Sequence, residues 1–96
     1  MDAAQRKTLI DRLPPHITGT ALMPAVEKLK AGRFALSLDA SAVEALSLPG
    51  LEGLLVIGAA QRARGDPFAC TDPSDAFLAD LALFGVSLDD FTGAAP

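Results

Sequence analysis

The sequence predicts an α/β fold, with a small mixed β-sheet covered by three to four α-helices in one domain over residues 1–96. Two observations point there. The spacing of apolar residues alternates between a two-residue and a 3.6-residue period, so that each strand-like stretch is followed by a helix-like one. Half of the 96 residues are apolar and 21% are charged, a balance that supports one core and not a disordered tail.

The elements follow in order. Thr8 to Leu13 reads as a first strand, stopped by Pro14-Pro15, which bring no N–H to a ladder. In "ITGTALMPAVEKLKAG", Leu22, Ala25, Val26 and Leu29 fall at i, i+3, i+4 and i+7, which predicts a first helix. Thr20 or Gly19 suits its cap, Pro24 its first turn and Gly32 the position past its end. Arg33 to Ser41 reads as a second strand, in which Phe34, Leu36 and Leu38 alternate with Ala35 and Ser37. The second helix is predicted over Leu48 to Arg64, ended by Gly65-Asp66-Pro67. "PFACT" is a short third strand. In "DPSDAFLADLALFG" Asp72 is placed as cap, Pro73 at the first helical position and Gly85 at the far end. Its expected buried stripe is Phe77, Leu78, Leu81 and Phe84, and the tail from Val86 is expected to add one short turn before fraying.

Composition narrows the function classes. Eight Lys plus Arg against twelve Asp plus Glu give a net charge of −4, which argues against nucleic acid as a main partner. Apolar runs such as Leu54 to Ile57 are far too short to insert into a membrane. No basic stretch followed by an apolar core opens the chain, and the lone Cys70 cannot pair internally, so a reducing cytoplasm is the expected location.

At this point a resemblance enters. The "LSLDAS" strand, the "VEAL" loop, the "SLPGLEGLL" helix start and "DPSDAFLADLALFGV" resemble the STAS domain of anti-sigma-factor antagonists and of sulfate-transporter tails, over about Leu9 to Val86. That resemblance implies a STAS-like fold and a non-catalytic signalling adaptor that binds a protein through the start and outer face of the second helix. Its members usually carry Asp-Ser-Ser-Gly-Leu or Asp-Ser-Ala-Gly-Leu at this junction. Gly50 and Leu51 match the Gly-Leu, whereas Leu48 takes the place of the serine that a partner kinase phosphorylates and Ser47 that of the aspartate. Where the serine is present, phosphorylation adds nearly two negative charges at the helix start and switches binding. Leu48 has no oxygen to accept a phosphate, so the usual switch is missing. The implied partner is an anti-sigma factor, a kinase-like or another signalling protein of a sigma-factor or chemosensory pathway. An ATPase of an ABC-type lipid transporter, bound by an accessory STAS subunit, is the alternative.

The expected docking residues are Ser47, Leu48, Pro49, Gly50, Glu52, Gly53, Val56 and Ile57, with Asp39 and Ser41 shaping the loop before them. On a helical wheel Leu51, Leu54, Leu55, Gly58 and Arg62 share the side expected to meet the sheet, and Val56, Ile57 and Ala60 the outward one. Ser47 reads as the N-cap of this helix, or as a phospho-acceptor one residue early; Ser41 reads as closing the turn at Asp39, with phosphorylation as its alternative. No catalytic residue, metal site or cofactor is expected. His16 is the only histidine, Cys70 reads as a buried inert thiol, Asp89-Asp90 as a solvated acidic turn, and no lysine or arginine stands at the Ser47 helix start to hold a nucleotide.

Overall fold

A computed structural model describes residues 8–32 and 34–92. Arg33, the expected first residue of the second strand, lies outside the described residues. The elements are β1 (Thr8–Arg12), β2 (His16–Ile17), α1 (Met23–Lys30), β3 (Ala35–Asp39), β4 (Ala45–Leu46), α2 (Leu48–Arg64), β5 (Phe68–Thr71), α3 (Asp75–Leu83) and α4 (Asp89–Thr92).

The strands form a three-stranded sheet in the order β1-β3-β5 and a two-stranded one, β2-β4. The mixed sheet expected from the sequence is corrected: every described pairing is parallel. The reason is that a helix separates β2 from β3 and β4 from β5, and such a crossover returns the chain in the same direction. The two-stranded sheet continues the β1 and β3 segments past a bend, while β5 has no counterpart in it. Leu13 N–H donates to Asp39 C=O (2.9 Å), then Pro14-Pro15 interrupt the ladder, and Pro15 C=O bridges the gap by accepting from Glu44 and Ala45. The chain then resumes as β2 beside β4, so "VEAL" and His16 are strand as well as turn.

Register puts Leu9, Leu36 and Phe68 side by side, then Asp11, Leu38 and Cys70. Leu36 and Leu38 are buried with Leu29, Leu51, Leu54 and Ile57 in one core under α1 and α2. On the other sheet face Ile10 is 74% exposed and Ala69 and Thr71 are exposed.

Local rules account for most helix ends, and the expectations for α1, α3 and α2 are corrected in turn. The N-cap of α1 is Leu22, which makes no side-chain cap bond, and Pro24 sits in the first turn. Neither Thr20 nor Gly19 caps it; Thr20 instead lends its carbonyl to Met23 N–H within a turn. α3 is capped by Ser74, whose Oγ accepts from Phe77 N–H (3.1 Å) and donates to Val43 C=O (2.6 Å). Asp72 has φ 48°, a left-handed turn conformation unlike the extended backbone of an N-cap, so Asp72 and Pro73 lie outside the helix. Of the expected α3 stripe, Phe77 and Leu81 are buried while Leu78 and Phe84 are 41% and 39% exposed.

The third correction is the roll of α2. Its buried residues are Gly50, Leu51, Leu54, Ile57, Gly58 and Gln61. The stripe is turned by roughly 60° from the expected one, at about 100° per residue. Ile57 is buried rather than outward, and Arg62 is exposed. The cause is where the expected tail turn packs: α4 crosses α2 at Gly58, where a methyl group would collide with the backbone carbonyl of Phe91. The tail therefore does not fray at once. Phe91 is buried against Phe68 and Phe77, with ring centroids 6.0 and 6.4 Å away, while Asp89 and Asp90 stay exposed. The far end of α2 is tied in by buried Gln61, whose Nε2 donates to Phe34 C=O (2.7 Å) and Pro67 C=O (3.2 Å).

Replacing Gly58 by Ala should therefore push α4 off α2 and cost about 1–3 kcal/mol of stability in urea denaturation, the usual range for overpacking. An unchanged midpoint would show that α4 does not rest on Gly58.

Candidate docking site

The site begins where β4 delivers the chain to α2. Leu46 is buried, and its N–H donates to Asp80 Oδ2 of α3 (2.9 Å), which closes the open side of β4. Ser47 follows in extended conformation (φ −82°, ψ 162°) as the N-cap of α2. Its hydroxyl makes two bonds, accepting from Gly50 N–H (3.1 Å) and donating to Ile17 C=O (2.9 Å). Ser47 N–H donates to the same carbonyl (3.0 Å). The first turn is thus pinned to β2, and Gly50 lies so close to Ile17 that a methyl group would strike its carbonyl oxygen.

Pinning the helix there decides what faces water. Leu48 is 51% exposed and Val56 67%, with Pro49 and Glu52 exposed between them. Ala59, Ala60 and Ala63 continue the outward side, so Glu52 is its one charge before Arg62. Gly53 is half-buried under the Leu22 side chain. The eight expected docking residues therefore divide. Leu48, Pro49, Glu52 and Val56 can be reached by a partner, whereas Ser47, Gly50, Gly53 and Ile57 hold them in place. The expectation that Ile57 faces outward is withdrawn, since it is only 3% exposed.

Asp39 and Ser41 act on the bend between β3 and β4. Asp39 Oδ1 accepts from Ser41 N–H (2.9 Å), which closes an Asx-type turn. That bond, the Ser41 hydroxyl and the Arg12 charge hold the Asp39 carboxyl below the usual carboxylate range. His16 Nε2 lies 3.7 Å from Glu44 Oε2, both largely exposed. Burial, with Asp39 adding to it, pushes the Cys70 thiol up from its usual 9.0 to about 12, which leaves it almost wholly protonated at neutral pH. Among the described residues no group of three or more His, Cys, Asp or Glu could hold a metal ion, and no helix is long and apolar enough to cross a membrane.

Sequence reasoning missed Asp80 and Ser74 as anchors, because both act through backbone atoms of residues more than thirty positions away. It also missed an apolar groove between α1 and α2, which no single helix period reveals. Comparison of the chain with protein-family models, curated proteins and solved structures found no match.

Two outcomes are expected. Ser47→Ala should lower stability by about 1–2 kcal/mol in urea denaturation, as for other lost N-caps; an unchanged midpoint would mean that the cap does not seat α2. Cys70 should resist iodoacetamide at pH 8 in the folded protein and react once it is unfolded. Because its folded pKa lies above the unfolded one, its contribution to stability is full below pH 9.0 and is lost as pH rises toward about 12. Ready alkylation of the folded protein would contradict that environment.

Proposed function

We propose that this chain is a STAS-like, non-catalytic adaptor of the cytoplasm that binds a signalling protein through the start and outward side of α2, without a serine switch. The observation that carries this reading is Leu48, a half-exposed leucine in the first turn of a helix whose cap is tied into the core. Water disfavours such an exposed apolar group at a cost that a partner's surface removes. Helix N-termini ordinarily attract anions, so a leucine at the tip, with Pro49 beside it, favours an apolar contact instead.

The fold supports the reading at the coarse level: a parallel sheet, helices and a strand–loop–helix junction at the residues that carry the resemblance. The chemistry of the switch supports it further. In relatives with a serine at this position, a phosphate would sit in the first turn and repel or reshape the partner face. Leu48 cannot take part, and the Ser47 oxygen is engaged on both sides. A phosphoryl group on Ser47 would displace the bonds that seat the helix, so it would disturb the fold at the junction before it could signal. The protein in this reading is permanently competent to bind, and its regulation lies in the partner or in its own abundance.

The test is Leu48→Asp, assayed against the partner that co-purifies from the native cell. Affinity should fall about 5- to 150-fold, as when an apolar anchor of about 1–3 kcal/mol is lost. The thermal midpoint should stay within about 1 °C, because an acid in the first turn of a helix is tolerated. Unchanged affinity would overturn the docking assignment. A phosphate found on Ser47 after incubation with the cognate kinase would overturn the absence of a switch.

A further inference from the structure

Two apolar surfaces of the described residues lack a covering element, and they complement each other. The first is the groove between α1 and α2, a depression of about 230 Å³. Leu29 and Ile57 form its floor and Val26, Val56 and Ala60 its sides. Lys30 and Arg64, the last residues of α1 and α2, flank one end. Arg64 Nη1 donates to Leu29 C=O (3.0 Å), which holds the guanidinium over the end of α1, while Lys30 Nζ stands 3.8 Å from exposed Glu27 Oε1.

The second surface is the outward side of α3. Leu78, Ala79, Ala82 and Leu83 lie there at helical spacing, with Leu83 83% exposed, and Asp75 in the first turn is the only charge. Exposed Asp72 precedes it. A helix that is apolar on nearly every side is normally covered. This one buries only Phe77 and Leu81.

We propose that the outward side of α3 in one copy of this chain docks into the α1–α2 groove of a second copy, giving a head-to-tail contact. Charge sets the direction. The groove ends in cations at Lys30 and Arg64, and the incoming helix begins with the anions Asp72 and Asp75. Entering antiparallel to α1 and α2, α3 brings its acidic N-terminal turn to that basic end. It also sets its positive dipole end beside two negative ones. Length agrees as well: nine residues of α3 span about 13 Å and eight of α1 about 12 Å at 1.5 Å per residue.

Symmetric alternatives fit less well. Two α3 helices packed antiparallel set each Asp75 against the other's negative C-terminal end, and packed parallel they bring the two Asp75 side by side. Two grooves face to face oppose like cations. A heterologous contact is what remains, and such contacts propagate or close into rings. One face of a nine-residue helix is smaller than the roughly 800 Å² per partner of standard stable complexes, so a weak association, in the high-micromolar to millimolar range, is expected. The contact is centred about two turns, some 12 Å, along α2 from Leu48; it shares Val56 with the adaptor's docking face but does not need Leu48, so it goes beyond that reading.

Sedimentation velocity of the full chain from about 10 µM to about 1 mM covers that range. At about 20 mM salt the mean size should rise with concentration, and at about 300 mM salt it should rise less. Val56→Glu blocks the groove and Leu83→Glu blocks α3; both positions are well exposed, and an unchanged circular dichroism melt confirms folding. Should Val56→Glu melt early, Ala60→Glu on the same flank replaces it. Each variant alone should remain monomeric. Mixed one to one, they should form a dimer and nothing larger, because Val56→Glu keeps a working α3 and Leu83→Glu a working groove. A wild-type chain monomeric up to about 1 mM at low salt would overturn the proposal. So would wild-type association that neither substitution affects, or single variants whose mixture fails to dimerise. Leu48→Asp should self-associate like the wild type, so failure here and failure of the adaptor reading are told apart.

Discussion

The hydroxyl of Ser47 joins the sheet to the longest helix. By donating to Ile17 C=O and accepting from Gly50 N–H, it sets where α2 begins and how its first turn is seated, while the contact with α4 at Gly58 fixes the roll farther along. Gly50 makes the approach possible, since any side chain there would meet the Ile17 carbonyl. With the first turn fixed, residue 51 must point into the core and residue 48 out of it. The exposure of Leu48 is thus a consequence of buried bonds and does not depend on a flexible loop. The same serine is held too firmly to serve as an easily modified group, so cap and switch are competing uses of one oxygen.

A second constraint acts at the other end of the helix. Phe91 fills the space between Phe68 and Phe77, and α4 reaches it only by resting on Gly58. Gln61 bonds to the carbonyls of Phe34 and Pro67, so the helix is clamped near both strand entries as well. Between these clamps α2 turns small apolar residues to the outside. α3 turns larger ones outward, Leu78 and Leu83, with Ala82 between them. The molecule therefore buries Phe68, Phe77 and Phe91 in one place and leaves two modest apolar strips, one ending in cations and one beginning with anions.

Much of this was legible in the sequence. The alternation of Leu36 and Leu38, the period through Leu22 to Leu29, and Ser47 and Gly65 around α2 located their elements, because each follows from a local rule. What could not be read depends on partners distant in the chain. The serine of "DPSD" and the aspartate two residues before it are both good caps; only the turn at Asp72 decides for Ser74. The roll of α2 depends on α4, whose single buried aromatic gives no periodic signal. The separation of Leu48 and Val56 from Ile57 within the proposed docking region follows from that roll. The expected mixed sheet was a misreading of a signal that was present, since the helical crossovers in the strand–helix order imply the parallel pairing observed.

The central claim is that a leucine is held in water beside a fixed cap, and it can be read directly from the leucine methyl groups. In methyl NMR with a soluble paramagnetic agent, relaxation of Leu48 should be enhanced several-fold more than that of Leu51 and Leu54, which are 3% and 0% exposed. Leu48 methyls as well shielded as those two would contradict the account, because the first turn of α2 would then be seated differently on the sheet.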